Sequence, residues 1–163
     1  MEYLQALDSS VKSIIIPDWA CNDKEYTIFD FSRFFQVESI EIGNNCFESV
    51  QSFSIDGFNT LKSLKIGSNS FTKLNNVTWT SKAYDEIIEM CDRSKSFQIR
   101  NCASLESIEI GEYSFSDFAG DFELKNLNSL QSIKIGTIGY HSGNFFNNSF
   151  VIRGNELNEM MKC

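Results

Sequence analysis

The chain has one proline, Pro17, and one histidine, His141, among 163 residues. With nine glycines as its other breakers, no stretch reads as a Pro-rich tract or a flexible linker. One domain with a sizeable core is expected over residues 1–163. Basic residues are also scarce. Fourteen Lys plus Arg face 22 Asp plus Glu, and the net charge of −8 repels phosphate backbones and anionic lipid. Nucleic acid is therefore not an expected partner. No apolar run approaches the roughly 18 residues of a spanning helix, so no membrane insertion is expected. Met1 is followed by Glu2 and Asp8 where an export signal would carry positive charge and then an apolar block, so none is expected.

Other absences bear on chemistry. The five cysteines, Cys21, Cys46, Cys91, Cys102 and Cys163, are odd in number and lack C-x-x-C spacing, which suggests neither a disulfide framework nor a zinc site. Reduced thiols fit a cytoplasmic setting. Against it stand two glycosylation-type sequons, Asn76-Val77-Thr78 and Asn147-Asn148-Ser149. His141 lies in the turn-like Gly139-Tyr140-His141-Ser142-Gly143, and no nucleophile elbow, phosphate loop or dinucleotide fingerprint occurs. No catalytic, cofactor-binding or metal-binding residue is predicted, and no cofactor.

What is present is a repeat. Leu105-Glu106-Ser107-Ile108-Glu109-Ile110-Gly111-Glu112-Tyr113-Ser114-Phe115 has near-copies at 37–47, 61–71 and 130–140 and a worn copy at 11–21. Their first residues, Val11, Val37, Leu61, Leu105 and Leu130, stand 26, 24, 44 and 25 residues apart. Periods of this size are how solenoids look in sequence, and the long step is one period plus an insertion of about 20 residues. The alternation in Ser107-Ile108-Glu109-Ile110 is that of a strand with one buried face. Gly43, Gly67, Gly111 and Gly136 are expected to end these strands by letting the chain turn, with Pro17 doing so in the first copy.

A second alternating segment precedes each following unit: Phe29 to Phe31, Phe53 to Ile55, Phe97 to Ile99, Phe122 to Leu124 and Phe150 to Ile152. Gly57, Asn101, Asn126 and Gly154 follow it, residue types that tolerate positive φ and so mark a tight turn. Phe34, Phe58, Cys102 or Leu127 comes next as a further apolar position. The predicted core columns are Ile14, Ile40, Leu64, Ile108 and Ile133, then Ile16, Ile42, Ile66, Ile110 and Ile135, with Cys21, Phe47, Phe71, Phe115 and Tyr140 behind them.

The insertion, about 79–95, carries Tyr84, Ile87, Ile88 and Cys91 at helical spacing, with Asp85, Glu86 and Glu89 early and Arg93 and Lys95 late. It reads as one short helix capped by Thr80 or Ser81. Residues 155–163 drop the repeat, and a small capping helix there would cover the last unit with Leu157, Met160 and Met161.

The pattern Leu-x-x-Ile-x-Ile-x-x-Asn-x-Phe, met by 61–71 and nearly by 37–47, resembles a leucine-rich repeat. The Leu-x-Ser-Ile-x-Ile opening followed by Gly or Pro, with a later Ser-Phe, is similar to the BspA-like subgroup. The asparagine position holds Asn45 and Asn69, and elsewhere Trp19, Tyr113 and Ile138. The resemblance implies a mainly β solenoid, a leucine-rich-repeat-like right-handed coil with parallel strands on two faces and one inserted short helix. For function it implies protein recognition or surface adhesion, with no catalytic residue.

The outward positions of the first strand make two columns. One is serine throughout: Ser13, Ser39, Ser63, Ser107 and Ser132. The other, with the second position of each unit, runs Lys12, then Glu38 and Glu41, Lys62 and Lys65, Glu106 and Glu109, then Lys134, so that sign alternates and each charge would sit beside opposite ones. Two readings stand. Alternation stabilises the stack and sets its order, or it forms a patterned strip for a partner through Ser39, Glu41, Ser63, Lys65, Ser107, Glu109, Ser132 and Lys134. Trp79 and Tyr84 are candidate contact residues because they break the repeat and can project from it; the alternative is that their helix covers a gap in the core. A non-enzymatic protein–protein interaction module is the leading expectation. A structural or adhesive surface protein comes second, and a β-solenoid polysaccharide hydrolase last.

Overall fold

A strand with one wet face needs a polar residue at every second position, and segments such as Ser39-Ile40-Glu41-Ile42 supply it. The computed structural model describes residues 8–137 and 142–148, and the backbone of 151–153. In it these segments are strands. In chain order the elements are β1 (Ser13–Ile16), β2 (Ile28–Phe29), β3 (Ser39–Ile42), β4 (Ser52–Asp56), β5 (Ser63–Ile66), α1 (Asn76–Ser81), α2 (Tyr84–Met90), β6 (Ser96–Arg100), β7 (Ser107–Ile110), β8 (Phe122–Lys125), β9 (Ser132–Ile135) and β10 (Val151–Arg153). The odd strands form one five-stranded sheet in the order β1-β3-β5-β7-β9, and the even strands a second in the order β2-β4-β6-β8-β10. All pairings are parallel. Each unit thus gives one strand to each sheet, a β-rich, repeat-like architecture.

Register follows the repeat. Ser13, Ser39, Ser63, Ser107 and Ser132 are successive partners, as are Ile14, Ile40, Leu64, Ile108 and Ile133. In the second sheet Phe29, Phe53, Phe97 and Phe122 pair in turn. Among the described residues the predicted inward columns are buried except for Cys21 in the first unit and Ile133 and Ile135 at the end of the first sheet, which are half-covered. Each fully buried side chain of this size contributes about 1.5–3 kcal/mol.

Between the sheets run two stacks of phenylalanine rings. Phe47, Phe71, Phe115 and Phe145 lie 4.9, 4.7 and 5.2 Å apart within 7° of parallel. Phe29, Phe53, Phe97 and Phe122 lie 4.6, 4.9 and 5.1 Å apart. The stacks meet edge to face, as in Phe53 against Phe71 at 85° and Phe97 against Phe115 at 77°. Such pairs are worth about 0.5–1.5 kcal/mol beyond their burial. That outweighs a backbone cost the sequence does not disclose: Phe47, Phe71 and Phe115 all have φ of 58°. A left-handed conformation costs a non-glycine residue about 1–2 kcal/mol, less than ring burial and stacking together supply.

The asparagine position proves to be a conformational site too. Trp19, Asn45, Asn69 and Tyr113 share φ of 64°, 56°, 57° and 59°, so the backbone is preserved where the side chain is not. The polar ladder runs one residue later. Ser70 Oγ donates to the carbonyl of Gly43 and accepts from Cys46 N–H, and Ser114 Oγ donates to Gly67 and accepts from Ser70 N–H. These wholly buried hydroxyls satisfy backbone groups that no strand reaches.

Several expectations are corrected. The glycine after the first strand is needed for close approach more than for turning: a Cβ on Gly67 would lie 2.6 Å from the carbonyl carbon of Gly43 in the unit below. Gly136 alone of the four has positive φ, 63°. The turn after the second strand is as expected, with φ of 75°, 54° and 55° at Gly57, Asn101 and Asn126; Gly154 lies outside the described residues. In the fifth unit the places assigned to Ile138 and Tyr140, which lie outside the described residues, are filled by Gly143 and Phe145. Tyr113 N–H donates to Ser142 O, Phe145 stacks on Phe115, and Asn144 Nδ2 donates to Gly111 O in place of a serine hydroxyl. The repeat resumes five residues late.

The insertion holds two short helices rather than one. Thr80 and Ser81 lie inside α1, which Asn75 caps by accepting from Thr78 N–H, and α2, the helix that carries Tyr84, has Ala83 at its N-cap position. Glu86 reaches back to Ala83 N–H at the start of α2. Arg93 and Lys95 fall beyond α2, whose last turn carries no basic residue. No helix among the described residues is long and apolar enough to cross a membrane. The proposed cap over 155–163 lies outside the described residues.

Candidate functional site

The outward face of the first sheet gathers the predicted strip. Serine is the shortest side chain there, and its column runs between two columns of long charged ones. The result is a trough of about 380 Å³ lined by Ser13, Ser39, Ser63, Ser107 and Ser132 with Glu41, Lys65, Glu109 and Lys134. Ser39 Oγ donates to Ser13 Oγ at 2.9 Å. The register puts Glu41 beside Lys65, Lys65 beside Glu109 and Glu109 beside Lys134.

The charges close into pairs rather than one continuous ladder. Lys65 Nζ bonds Glu41 at 2.9 Å, Lys134 Nζ bonds Glu109 at 2.9 Å, and Glu38 takes both Lys62 at 2.8 Å and Lys12 at 3.5 Å. Hydrogen bonding from Lys62, with its charge, holds the Glu38 carboxyl below its ordinary value. The bond from Lys134 does the same for Glu109. In return, Lys62 and Lys65 are raised by their bonds to Glu38 and Glu41. These pairs are solvent-exposed and each is weak. The first unit departs from the pattern, since Ile15 stands in register with Glu41 and is 70% exposed.

Trp79 and Tyr84 answer the two alternatives differently. Trp79 is half-buried, its ring edge-on to Phe146 at 4.4 Å and near Tyr113 at 6.1 Å. It covers the last described turn. Gly143 permits this, because a Cβ there would meet the Tyr113 ring at 2.7 Å. Tyr84 leans on Phe146 at 5.5 Å and yet is 65% exposed. Of α2 only Ile87 is buried. Sequence reasoning missed Phe146; its signal was a Phe-Phe pair in a stretch that breaks the repeat.

A second omission is the joint beneath the insertion. Lys95 Nζ and Asp117 Oδ2 form a buried ion pair at 2.7 Å, with the ammonium 5.2 Å from the centre of the Phe118 ring. Asp117 also accepts from Lys73 N–H through its carboxylate and from Asp92 N–H through its carbonyl. Both ends of the insertion are thereby fastened to one residue. No sequence pattern links Lys95 to Asp117.

The cysteines do not form disulfides with one another among the described residues. Cys46 and Cys102 are fully buried, Cys21 and Cys91 half-buried, and burial raises all four thiols above their ordinary value. Cys91 sits just past α2, at its C-cap. His141 and Cys163 lie outside the described residues. Among the described residues no three His, Cys, Asp or Glu side chains come together as a metal site would need. Comparison with family models, with curated proteins and with solved structures found no match.

Proposed function

We propose that this chain is a non-enzymatic module for binding another protein, built as a leucine-rich-repeat-like solenoid of the BspA type and not directed at nucleic acid or membrane. The observation that carries it is the open trough on the first sheet, where five units present the same serine and four of them a charge of set sign in register. Such a face is rigid before any partner arrives, which lowers the ordering cost of association. The sheets' parallel order and one-strand-per-unit arrangement support the solenoid reading.

The lowered carboxyls of Glu38 and Glu109 support a non-catalytic face, since a general acid for sugar cleavage needs a raised value. The structural or adhesive reading draws support from the pairing of Lys65 with Glu41 and Lys134 with Glu109, which neutralises the face from within. Filling the trough separates the two. Ser63→Arg with Ser107→Arg leaves the inward columns untouched, so the variant folds. A reproducible set of proteins captured by the wild type and lost with the variant is the expected result. An unchanged set, or none from either, overturns binding through this face.

A further inference from the structure

Beyond the sheet face, the inserted helices carry a second surface. A seven-residue helix is marginal by itself, and α2 has one buried side chain, Ile87, to hold it. It nevertheless turns Tyr84 and Ile88, one helical turn apart, toward solvent at 65% and 37% exposure. Tyr84 is continuous with Phe146 and, through it, with Trp79, so a strip of three rings ends in an aliphatic side chain. The rings are held edge to face at 88° and 81°. They are anchors fixed in advance, of the residue types that dominate interface energies.

The charge that α2 itself carries is of one sign. Asp85 and Glu89 are exposed, stand one turn apart, and form no ion pair with described residues, whereas Glu86 is engaged by Lys82 at 3.2 Å. Like charges at this spacing destabilise a helix. On the first sheet the protein answers its glutamates with its own lysines; on α2 it leaves two carboxylates unanswered. We propose that the strip formed by Trp79, Phe146, Tyr84 and Ile88 docks a basic segment of a partner protein, one that sets Lys or Arg beside an apolar anchor. The anchor packs on Tyr84 and Ile88, and the cations reach Asp85 and Glu89. This rests on the protein-binding reading above but uses a different surface.

The test is selection of a phage-displayed library of random linear peptides on the full chain. Recovered peptides are then measured against the wild type, Tyr84→Ala, Ile88→Ser, Asp85→Lys with Glu89→Lys, and the trough variant Ser63→Arg with Ser107→Arg. The expected peptides are rich in Lys or Arg next to Leu, Phe or Trp. Their Kd should rise about tenfold or more with each α2 variant and stay unchanged with the trough variant. The α2 side chains are exposed, so matching thermal melts show that affinity was lost without the fold. Peptides lacking basic residues, or indifferent to the α2 variants, overturn the proposal. Sensitivity only to the trough variant overturns it while leaving the sheet-face reading intact. Concentration-dependent dimers of the wild type, abolished by Asp85→Lys with Glu89→Lys, would assign the strip to a second copy of the chain and overturn it as well.

Discussion

The five repeat units and the inserted segment between Asn76 and Lys95 solve the same problem, burying apolar groups, by opposite means. In the units every inward side chain rests on its counterpart one strand away, so Phe71 sits between Phe47 and Phe115 within 7° of parallel. In the insertion burial is spread over single contacts: Ile87 from α2, Trp79 against Phe146, and one ion pair between Lys95 and Asp117. A unit's neighbours supply its solvent-free environment; the insertion must find one elsewhere in the chain. Removing one piece should therefore cost most where a stack is interrupted and where a lone buried joint is cut, and least on exposed faces.

The largest effect should come from Phe71→Ala, which opens a gap in the middle of a ring stack and is expected to cost about 3–5 kcal/mol in urea denaturation. Tyr84→Ala, on the exposed strip, should stay within about 0.5 kcal/mol. Parity between the two would erase the distinction between the regions. Lys95→Ala follows closely, at about 3 kcal/mol, because it strands the Asp117 carboxylate, already carrying one unpartnered oxygen, in a buried place. Lys95→Met combined with Asp117→Leu should bring stability back near the wild type, since it removes both charges and keeps the volume. Failure of that rescue would mean that the backbone bonds to Asp92, and not the ion pair, hold the joint.

Smaller effects are expected from the charged columns. Lys65→Glu places acidic side chains on three successive strands, β3, β5 and β7, so the melting temperature should fall at low salt and recover partly at high salt. A melting temperature indifferent to salt would show that the alternation is idle. The pH profile has a definite sign. Glu38 and Glu109 are lowered in the fold from an ordinary 4.5, so their contribution is complete above that value and fades as acid takes pH down through the lowered one. Lys62 and Lys65 are raised from 10.5, so theirs is complete below that value and fades as pH climbs through the raised one. A scan of melting temperature against pH should show a plateau between, and Lys62→Met should flatten its acid edge.

The units were legible because each position is stated several times. Strand, inward column, serine column and second-strand turn all follow from aligning five copies. Where a copy departs, the reading slipped. Residues 130–140 look like a complete copy, yet it is Phe145, five residues further on, that completes the stack, because ring packing on Phe115 outweighs local spacing. The candidate strip was legible by residue on the sheet, while its trough and its pairing were not. On the insertion, Trp79 and Tyr84 were found and their partner Phe146 was missed, since residues about 60 positions apart share no local pattern.

Sequence alone thus determined the two-strand unit, its period and the faces of its strands, since backbone alternation dictates which side chains turn inward. Tertiary structure decided the rest: that four phenylalanines of one stack take positive φ, that Gly67 is there to let Gly43 come close, and that Lys95 belongs to Asp117. Those features depend on what lies in the adjoining unit or across the fold, and a contact between distant residues leaves no trace in the local order of the chain.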